Sequence, residues 1–420
     1  MGEILETNQN WIGNVAILNK ILAKETWYNT FFARFAGNVD ISSDDNGNKV
    51  YTPSGNPIEV LNEFVAQGRD NMLVPFLKEL TGSPVFGDTL LKGTGEDQSL
   101  DWLRTYVNQY RKAVMKRSGQ MSEQRQKLWK LYDQSKRQLS RWFSKYENQA
   151  IFASFYEGVS PNLSTGTNDD GLGLVQRYHP NWYYTAADVL TTVGTAKKTK
   201  TAANLDTAVA ACDKPMTATL LLQLRTKCME LRIPAMETKV GNPYWCMVVH
   251  PQQYENLMMD TNFKNANREA YSSRMLEMPE LAGAQAFYAG FAIYEDIIGI
   301  RGWDTTDKDM QMDTATAMFS PSTILDNLNA LVFGKSAMSK AIARDLHYTN
   351  EVDDHQNTIE IGGAQINGYN RNEYFSETNA AESSAKAFDK DNATVTVASA
   401  LACINQSSLI LMTDQSVSPS

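Results

Sequence analysis

The 420-residue sequence is poor in the side chains that build most metal and redox centres, with four cysteines and four histidines. Cys212, Cys228, Cys246 and Cys403 form no CxxC pair. In a chain of this length they read as scattered buried thiols, not as a disulfide frame or a zinc site. His179, His250, His347 and His355 show neither HExxH nor HxH spacing, so no metal ion is expected. No run of about 18 apolar residues occurs, which argues against a membrane helix. The opening Met1-Gly2-Glu3-Ile4-Leu5-Glu6 lacks the basic start and apolar core of a secretory leader, so synthesis and use in a cytoplasm are expected. There is no GxSxG elbow, dinucleotide fingerprint or kinase set, and Gly93-Thr94-Gly95 is not followed by GK[ST]. The expectation is a protein without cofactor or catalytic site.

What is present is an ordinary globular composition, 42% hydrophobic and 21% charged, long enough for two or three domains of roughly 100–200 residues. The net charge of −9 makes the chain as a whole a poor nonspecific DNA binder. The distribution is uneven. Between Arg111 and Lys145 stand eleven basic residues against only Glu123 and Asp133, leaving 28 basic and 46 acidic residues for the rest.

The segment 120–157 contains no proline or glycine and predicts a long helix. On a wheel of about 100° per residue, Leu128, Leu131, Tyr132, Ser135, Leu139, Trp142, Phe143 and Tyr146 share one arc. Lys127, Lys130, Arg137, Arg141 and Lys145 fall in a separate arc of roughly 80°, with Lys136 outside it. This stripe is a solvated face, or else a contact for DNA phosphates or an acidic neighbour.

Elsewhere the signals are shorter. Mixed apolar spacing over 11–38 predicts one or two helices, and Asn46-Gly47 a hairpin turn in preference to a calcium loop. Met72–Leu77 and Leu100–Val114 read as strands flanking a stretch punctuated by Gly82, Gly87, Gly93 and Gly95. Residues 158–214, rich in Ser, Thr, Asn, Gly and Ala, read as a loop-rich insertion or linker. Residues 215–345 read as a compact α/β unit. It has a helix over Thr217–Leu231, a buried strand over Tyr244–Val249, a helix over Gln252–Met259, strands at Phe291–Ile300 and Leu328–Phe333, and a helix over Ser336–Ala343. Strands are expected around Ile359 and Ile361, Val395 and Val397, and Leu409–Met412, before a tail at 415–420.

Three polar groupings invite chemistry. Glu295 and Asp296, adjacent on a strand, would point to opposite faces and make no acid/base pair. His250 precedes Pro251 and reads as a cap or turn residue; Asp353-Asp354-His355 reads as a solvated turn.

Three blocks in the first half of the chain carry a resemblance. They are Gly82-Ser-Pro-Val-Phe-Gly-Asp-Thr-Leu-Leu-Lys-Gly93, Tyr106-Val-Asn-Gln-Tyr-Arg-Lys-Ala-Val114, and Gly119-Gln-Met-Ser-Glu-Gln-Arg125 before the long helix. Later come Val248-Val-His-Pro-Gln-Gln-Tyr254, Leu331-Val-Phe-Gly-Lys-Ser-Ala337, and Ile361 to Phe375 with Gly368 and Arg371. In this order they resemble the major capsid family of N4-like podoviruses over about residues 60–400, departing at 158–214 and around Pro279 to Gly290.

The resemblance implies an α+β, HK97-like capsid fold. Residues 1–80 would be an N-terminal arm, and 81–118 an extended hairpin loop (E-loop) lying on a neighbouring subunit. Residues 119–214 would be the peripheral domain with its spine helix and insertion, and 215–345 the axial domain. Residues 346–420 would supply return strands of the peripheral domain and a tail. Gly87, Asp88, Leu90, Lys92, Trp102, Tyr106 and Tyr110 are the candidate intersubunit residues. The implied function is self-assembly into pentamers and hexamers of an icosahedral head. Implied partners are scaffolding, portal and decoration proteins and nonspecifically packaged double-stranded DNA. A nanocompartment shell of the same fold and a DNA-binding accessory virion protein are the alternatives.

Overall fold

The computed structural model describes residues 30–43, 49–52, 54–62, 71–77, 84–87, 100–117, 131–158, 160–161, 178–195, 200–238, 241, 243–272, 283–296, 299–306, 309–312, 327–353, 358–375, 403–404 and 407–414. A short 3-10 helix, Phe31–Phe35, leads into β1 (Ala36–Asn38). β2 (Asp40–Ser43) and β3 (Lys49–Thr52) pair antiparallel on either side of Asn46-Gly47, which lie outside the described residues. After β4 (Ile58–Leu61), β5 (Asn71–Leu77) and β6 (Leu100–Tyr106) form an antiparallel hairpin, and β7 (Asn108–Arg117) follows directly.

The long helix α1 (Leu131–Glu157) precedes β8 (Trp182–Ala186), β9 (Val189–Thr192), α2 (Ala202–Ala211) and α3 (Ala218–Glu230). Next come β10 (Met236–Glu237), β11 (Pro243–Val249), α4 (Pro251–Met259) and α5 (Thr261–Ser272). The chain continues through β12 (Ala286–Tyr288), β13 (Phe291–Glu295), β14 (Arg301–Asp304), β15 (Asp309–Met312) and β16 (Asn327–Phe333). β17 (Met338–Asp353), β18 (Thr358–Arg371), β19 (Tyr374–Phe375), β20 (Cys403–Ile404) and β21 (Ser408–Asp414) complete it.

Two sheets organise the α+β architecture. The larger runs β12-β13-β11-β16-β21-β8-β9, with β10 on the flank of β11. Alternate residues of its central strands feed two separate cores. Cys246 and Val248, Leu331 and Phe333, and Ile410 and Met412 enter one, with Phe152 and Tyr156 of α1 and Leu205 of α2. Met247 and Val249, Ala330 and Val332, and Leu409 and Leu411 enter the other, with Leu220 and Leu224 of α3, Leu257 of α4 and Phe263 of α5. A strand buried on both faces needs apolar residues in succession, which is why these segments read as unbroken hydrophobic runs.

The smaller sheet runs β1-β4-β17-β18-β7. One face packs on the first half of α1 through Leu139, Phe143, Leu346, Tyr348 and Ile361. Gly363 makes that approach possible, since a Cβ there would sit 2.5 Å from the Phe143 ring.

Local signals set several helix starts. Thr201 caps α2 in a capping box with Asn204, and the Thr217 side chain accepts from Leu220 N. His250 caps α4 from Nδ1 to Gln252 N (3.3 Å), with Pro251 in the first turn, as its position before the proline predicts.

Several expectations are overturned. The described part of 158–214 is not loop-rich: it supplies β8 and β9 to the larger sheet and α2 to its core. Its short apolar positions, Trp182 and Leu205 among them, are too sparse to show periodicity until tertiary partners are present. Ser336–Ala343 is not a helix. Ser336 takes a left-handed φ of 51° in a turn, and Met338 begins β17 between β4 and β18. Pairing on both sides outweighs the helical propensity of Ala, Lys and Met. Among the described residues of Phe291–Ile300, Phe291–Glu295 is strand. The helices expected over 11–38 fall mostly on residues 11–29, outside the described residues; Phe31–Asn38 forms the 3-10 helix and β1. Val395 and Val397 lie outside the described residues, while Leu409–Met412 lies in β21, within the larger sheet.

Candidate assembly surfaces

The polar groups first singled out for chemistry are engaged structurally. His250 is the α4 cap, and its backbone N–H donates to Gln253 Oε1 (3.0 Å). Asp296 accepts from Asn148 Nδ2 at 2.7 Å, and partial burial raises the Glu295 carboxyl above its usual range. Asp354 and His355 lie outside the described residues.

The fold also brings together a Ser–His pair that the sequence does not reveal. His179 Nε2 lies 2.9 Å from Ser408 Oγ, both fully buried. Asn181 N–H donates to Nδ1 (3.0 Å), so the proton resides on Nε2 and is donated to Ser408. A base that activates serine needs the opposite tautomer. Burial, reinforced by Arg371 and Lys200, holds His179 neutral, well below its ordinary pKa. Burial likewise pushes the Cys228 and Cys246 thiols far up, so they are unreactive packing groups. Among the described residues no three His, Cys, Asp or Glu side chains cluster to hold a metal.

The cationic stripe is displayed in part. Arg137, Arg141 and Lys145 are exposed on the outer side of α1; Lys127 and Lys130 lie outside the described residues. Among the residues whose side chains are described, the division into two arcs is seen from Arg137 to Tyr146. From Glu147 to Glu157 every residue is buried, because this half enters the core of the larger sheet. Trp142 and Tyr146 stack at the edge of the stripe (5.2 Å, 13°), and Lys112 Nζ of β7 lies 5.6 Å over the Trp142 ring.

Beneath the stripe is a buried polar node. Gln365 Nε2 donates to Glu147 Oε1 (2.8 Å), Thr30 Oγ1 donates to Oε2 (3.4 Å), and Lys340 Nζ stands 3.7 Å away. Burial lowers the Lys340 pKa, and Glu147 opposes that shift. The node ties the segment before β1 to α1, β17 and β18. A second buried pair, Arg371–Glu373 (2.8 Å), sits at the end of α1, where Arg371 Nη1 donates to the Phe155 and Tyr156 carbonyls.

The candidate intersubunit residues separate. Gly87 adopts φ +66° at an exposed turn beside Phe86, which is 78% exposed. Asp88, Leu90 and Lys92 lie outside the described residues, and Trp102 sits opposite Pro75 in the β5–β6 hairpin. Tyr106 is buried within this chain. The Tyr110 hydroxyl donates to Gln365 Oε1 (2.9 Å) and accepts from Asn367 Nδ2 (3.2 Å), and burial raises its pKa well above the usual range. Among the described residues the β5–β6 hairpin pairs with no third strand.

On the face of the smaller sheet away from α1 lies an open trough of about 450 Å³. Ala113 and Gly362 pave its floor, and Arg111, Glu351 and Glu360 stand among its lining. Small floor residues with mixed charges suit contact with another chain's surface more than enclosure of a small molecule.

The phage capsid protein family model matches residues 18–403. Among solved structures, the capsid of Ralstonia phage GP4 is similar at 14% identity and a TM-score of 0.59, with 93% of each chain covered. The capsid of cyanophage Pam1 is similar at 16% identity and a TM-score of 0.53, with 92% of each chain covered. The head of Helicobacter pylori bacteriophage KHP40 is similar at 13% identity and a TM-score of 0.56, covering 92% of this chain and 91% of that one. No curated protein matches the sequence.

Proposed function

The chain belongs to the phage capsid protein family, and from that premise we propose that it is the major subunit of a tailed-phage head, of the N4-like kind. Copies join as pentamers and hexamers and close into an icosahedral shell around double-stranded DNA. The role is structural, without catalysis. The observation that carries this reading is the family match over 18–403 together with a fold shared across more than nine-tenths of the Ralstonia phage GP4 capsid chain.

The physical features support it. A two-stranded hairpin is marginal in water without a covering layer, and β5–β6 has no third described strand. Phe86 exposes a large apolar ring beside the Gly87 turn. A neighbouring copy receiving the β5–β6 hairpin and the turn at Gly87 would cover both, while β7 stays in the smaller sheet of its own chain. α1 then acts as the spine of the peripheral unit and the larger sheet as the body of the axial unit, which takes in β8, β9 and β21 besides strands of 215–345; an N-terminal arm can draw on only part of 1–80, because Phe32, Phe35 and β4 pack within the subunit itself. The exposed Arg137, Arg141 and Lys145 face the lumen or an acidic neighbour, and the acidic remainder of the wall keeps packaged DNA from adhering. Scaffolding, portal and decoration proteins are the expected partners during assembly in the host cytoplasm.

Negative-stain microscopy of the overexpressed, purified chain tests the proposal. Closed shells or ring-shaped capsomers are expected. A chain that stays monomeric at every concentration and ionic strength, yet binds DNA tightly and with steep salt dependence, would instead be an accessory DNA-binding protein.

A further inference from the structure

We infer that the two lateral edges of the smaller sheet are complementary halves of a joint between copies, in which β7 of one copy adds to the distal part of β17 in the next. The inference rests on the reading of the chain as a shell subunit and names a contact through which that shell is held.

The backbone pattern comes first. β4 pairs with β17 only over Met338–Ala341. Over Thr349–Asp353, β18 is the sole described strand beside β17, and over Gln109–Arg117 it is the sole described strand beside β7. Gln109, Arg111, Lys112, Ala113 and Met115 are exposed, as are Thr349 and Glu351. A long open edge presents rows of N–H and C=O groups to any extended partner.

Charge then selects the partner. Asn108–Arg117 contains Arg111, Lys112, Lys116 and Arg117 and no carboxylate. Thr349-Asn-Glu-Val-Asp-Asp354 contains three carboxylates and no lysine or arginine. Pairing β7 with β7 would set four cations against four, whereas pairing β7 with β17 sets opposite charges together.

Direction agrees. β17 and β7 are both antiparallel to β18 and therefore parallel to each other. Asp353, Thr358 and Arg117 form one row across the sheet, and Glu351, Glu360 and Met115 another. Acidic and basic ends are thus level at the same end of the sheet. A copy added in the same orientation brings Lys116 and Arg117 level with Val352 and Asp353. Unlike edges that join in this way make a heterologous contact, the kind that generates rings.

Edge lysines also serve in other proteins to prevent pairing, and the two roles predict different results. The test uses the full chain, with shell yield read by sedimentation and negative stain and folding read by circular dichroism. Lys116→Glu/Arg117→Glu and Glu351→Lys/Asp353→Lys should each fold normally and lower shell yield by at least about tenfold. The four substitutions combined should restore it. Normal assembly of either charge-reversed chain, as a mere guard would give, overturns the proposal, as does a folded combined variant that stays unassembled. Should a reversed chain not fold, Lys116→Gln/Arg117→Gln supplies the reading. Its assembly should depend less steeply on salt than the wild type's, and an equal dependence overturns the joint. A wild-type chain that forms no shells under any condition refutes the shell function itself, a separate outcome.

Discussion

Replacing Arg371 by methionine should destabilise the subunit more than almost any other single change. Arg371 and Glu373 are both fully buried, joined through Nη2 (2.8 Å) and Nε (2.9 Å) to the same carboxylate oxygen. Arg371 also donates to the last carbonyls of α1, where a cation complements the helix dipole. Methionine fills similar volume but leaves the Glu373 carboxylate buried without this guanidinium. Breaking a buried pair from one side costs about 3–5 kcal/mol. At about 1 °C per kcal/mol for a 420-residue chain that melts as one unit, the melting temperature should fall by roughly 3–6 °C. Calorimetry on unassembled subunit measures it directly. The control is Arg371→Met with Glu373→Leu, which removes both charges and should recover at least about half the loss, because apolar replacements of buried pairs are often neutral. A single variant within about 1 kcal/mol of wild type, or a double variant no better than the single, would refute the reasoning.

Gly363→Ala pushes a methyl group into the Phe143 ring and should cost about 1–3 kcal/mol by urea denaturation, with Phe143→Leu in the same chain recovering part of it. Ala289 has φ 53° in the turn between β12 and β13, so Ala289→Gly should raise the urea midpoint, a gain of about 0.5–1 kcal/mol; a lower midpoint would count against strain at that turn. His179 is held neutral when folded, chiefly by burial. Below the ordinary histidine pKa the unfolded chain binds a proton that the folded chain refuses, so stability must decline as pH falls through that range, at up to about 1.4 kcal/mol per pH unit. His179→Gln should flatten that decline relative to wild type, and parallel stability–pH curves would show that the histidine contributes nothing to it.

What the sequence made legible follows from how local the cause was. The helix over 131–157, the cap at His250, and the buried runs of β11, β16 and β21 rest on spacing and capping chemistry within a few residues. Ser336–Ala343 misled because its own propensities favour a helix, while its fate is decided by β4 and by β18. The wholly buried second half of α1 was masked by Glu147, Asn148, Gln149 and Glu157, polar residues that a wheel assigns to solvent. The surface signals divide the same way. The basic stripe is a one-dimensional pattern and is visible, whereas Tyr110 looked available for a neighbour until Gln365 and Asn367, some 255 residues away, were brought to its hydroxyl.

α1 supplies core residues to the smaller sheet from its first half and to the larger sheet from its second. Neither sheet can lose its packing without stripping one end of the same rod, so the two halves of the subunit share a single melting event. Heating the unassembled chain should then give one calorimetric peak whose van't Hoff and calorimetric enthalpies agree. A subunit built this way enters a shell as a stiff unit, and any shape change between copies is taken up at their joints before it reaches the interior.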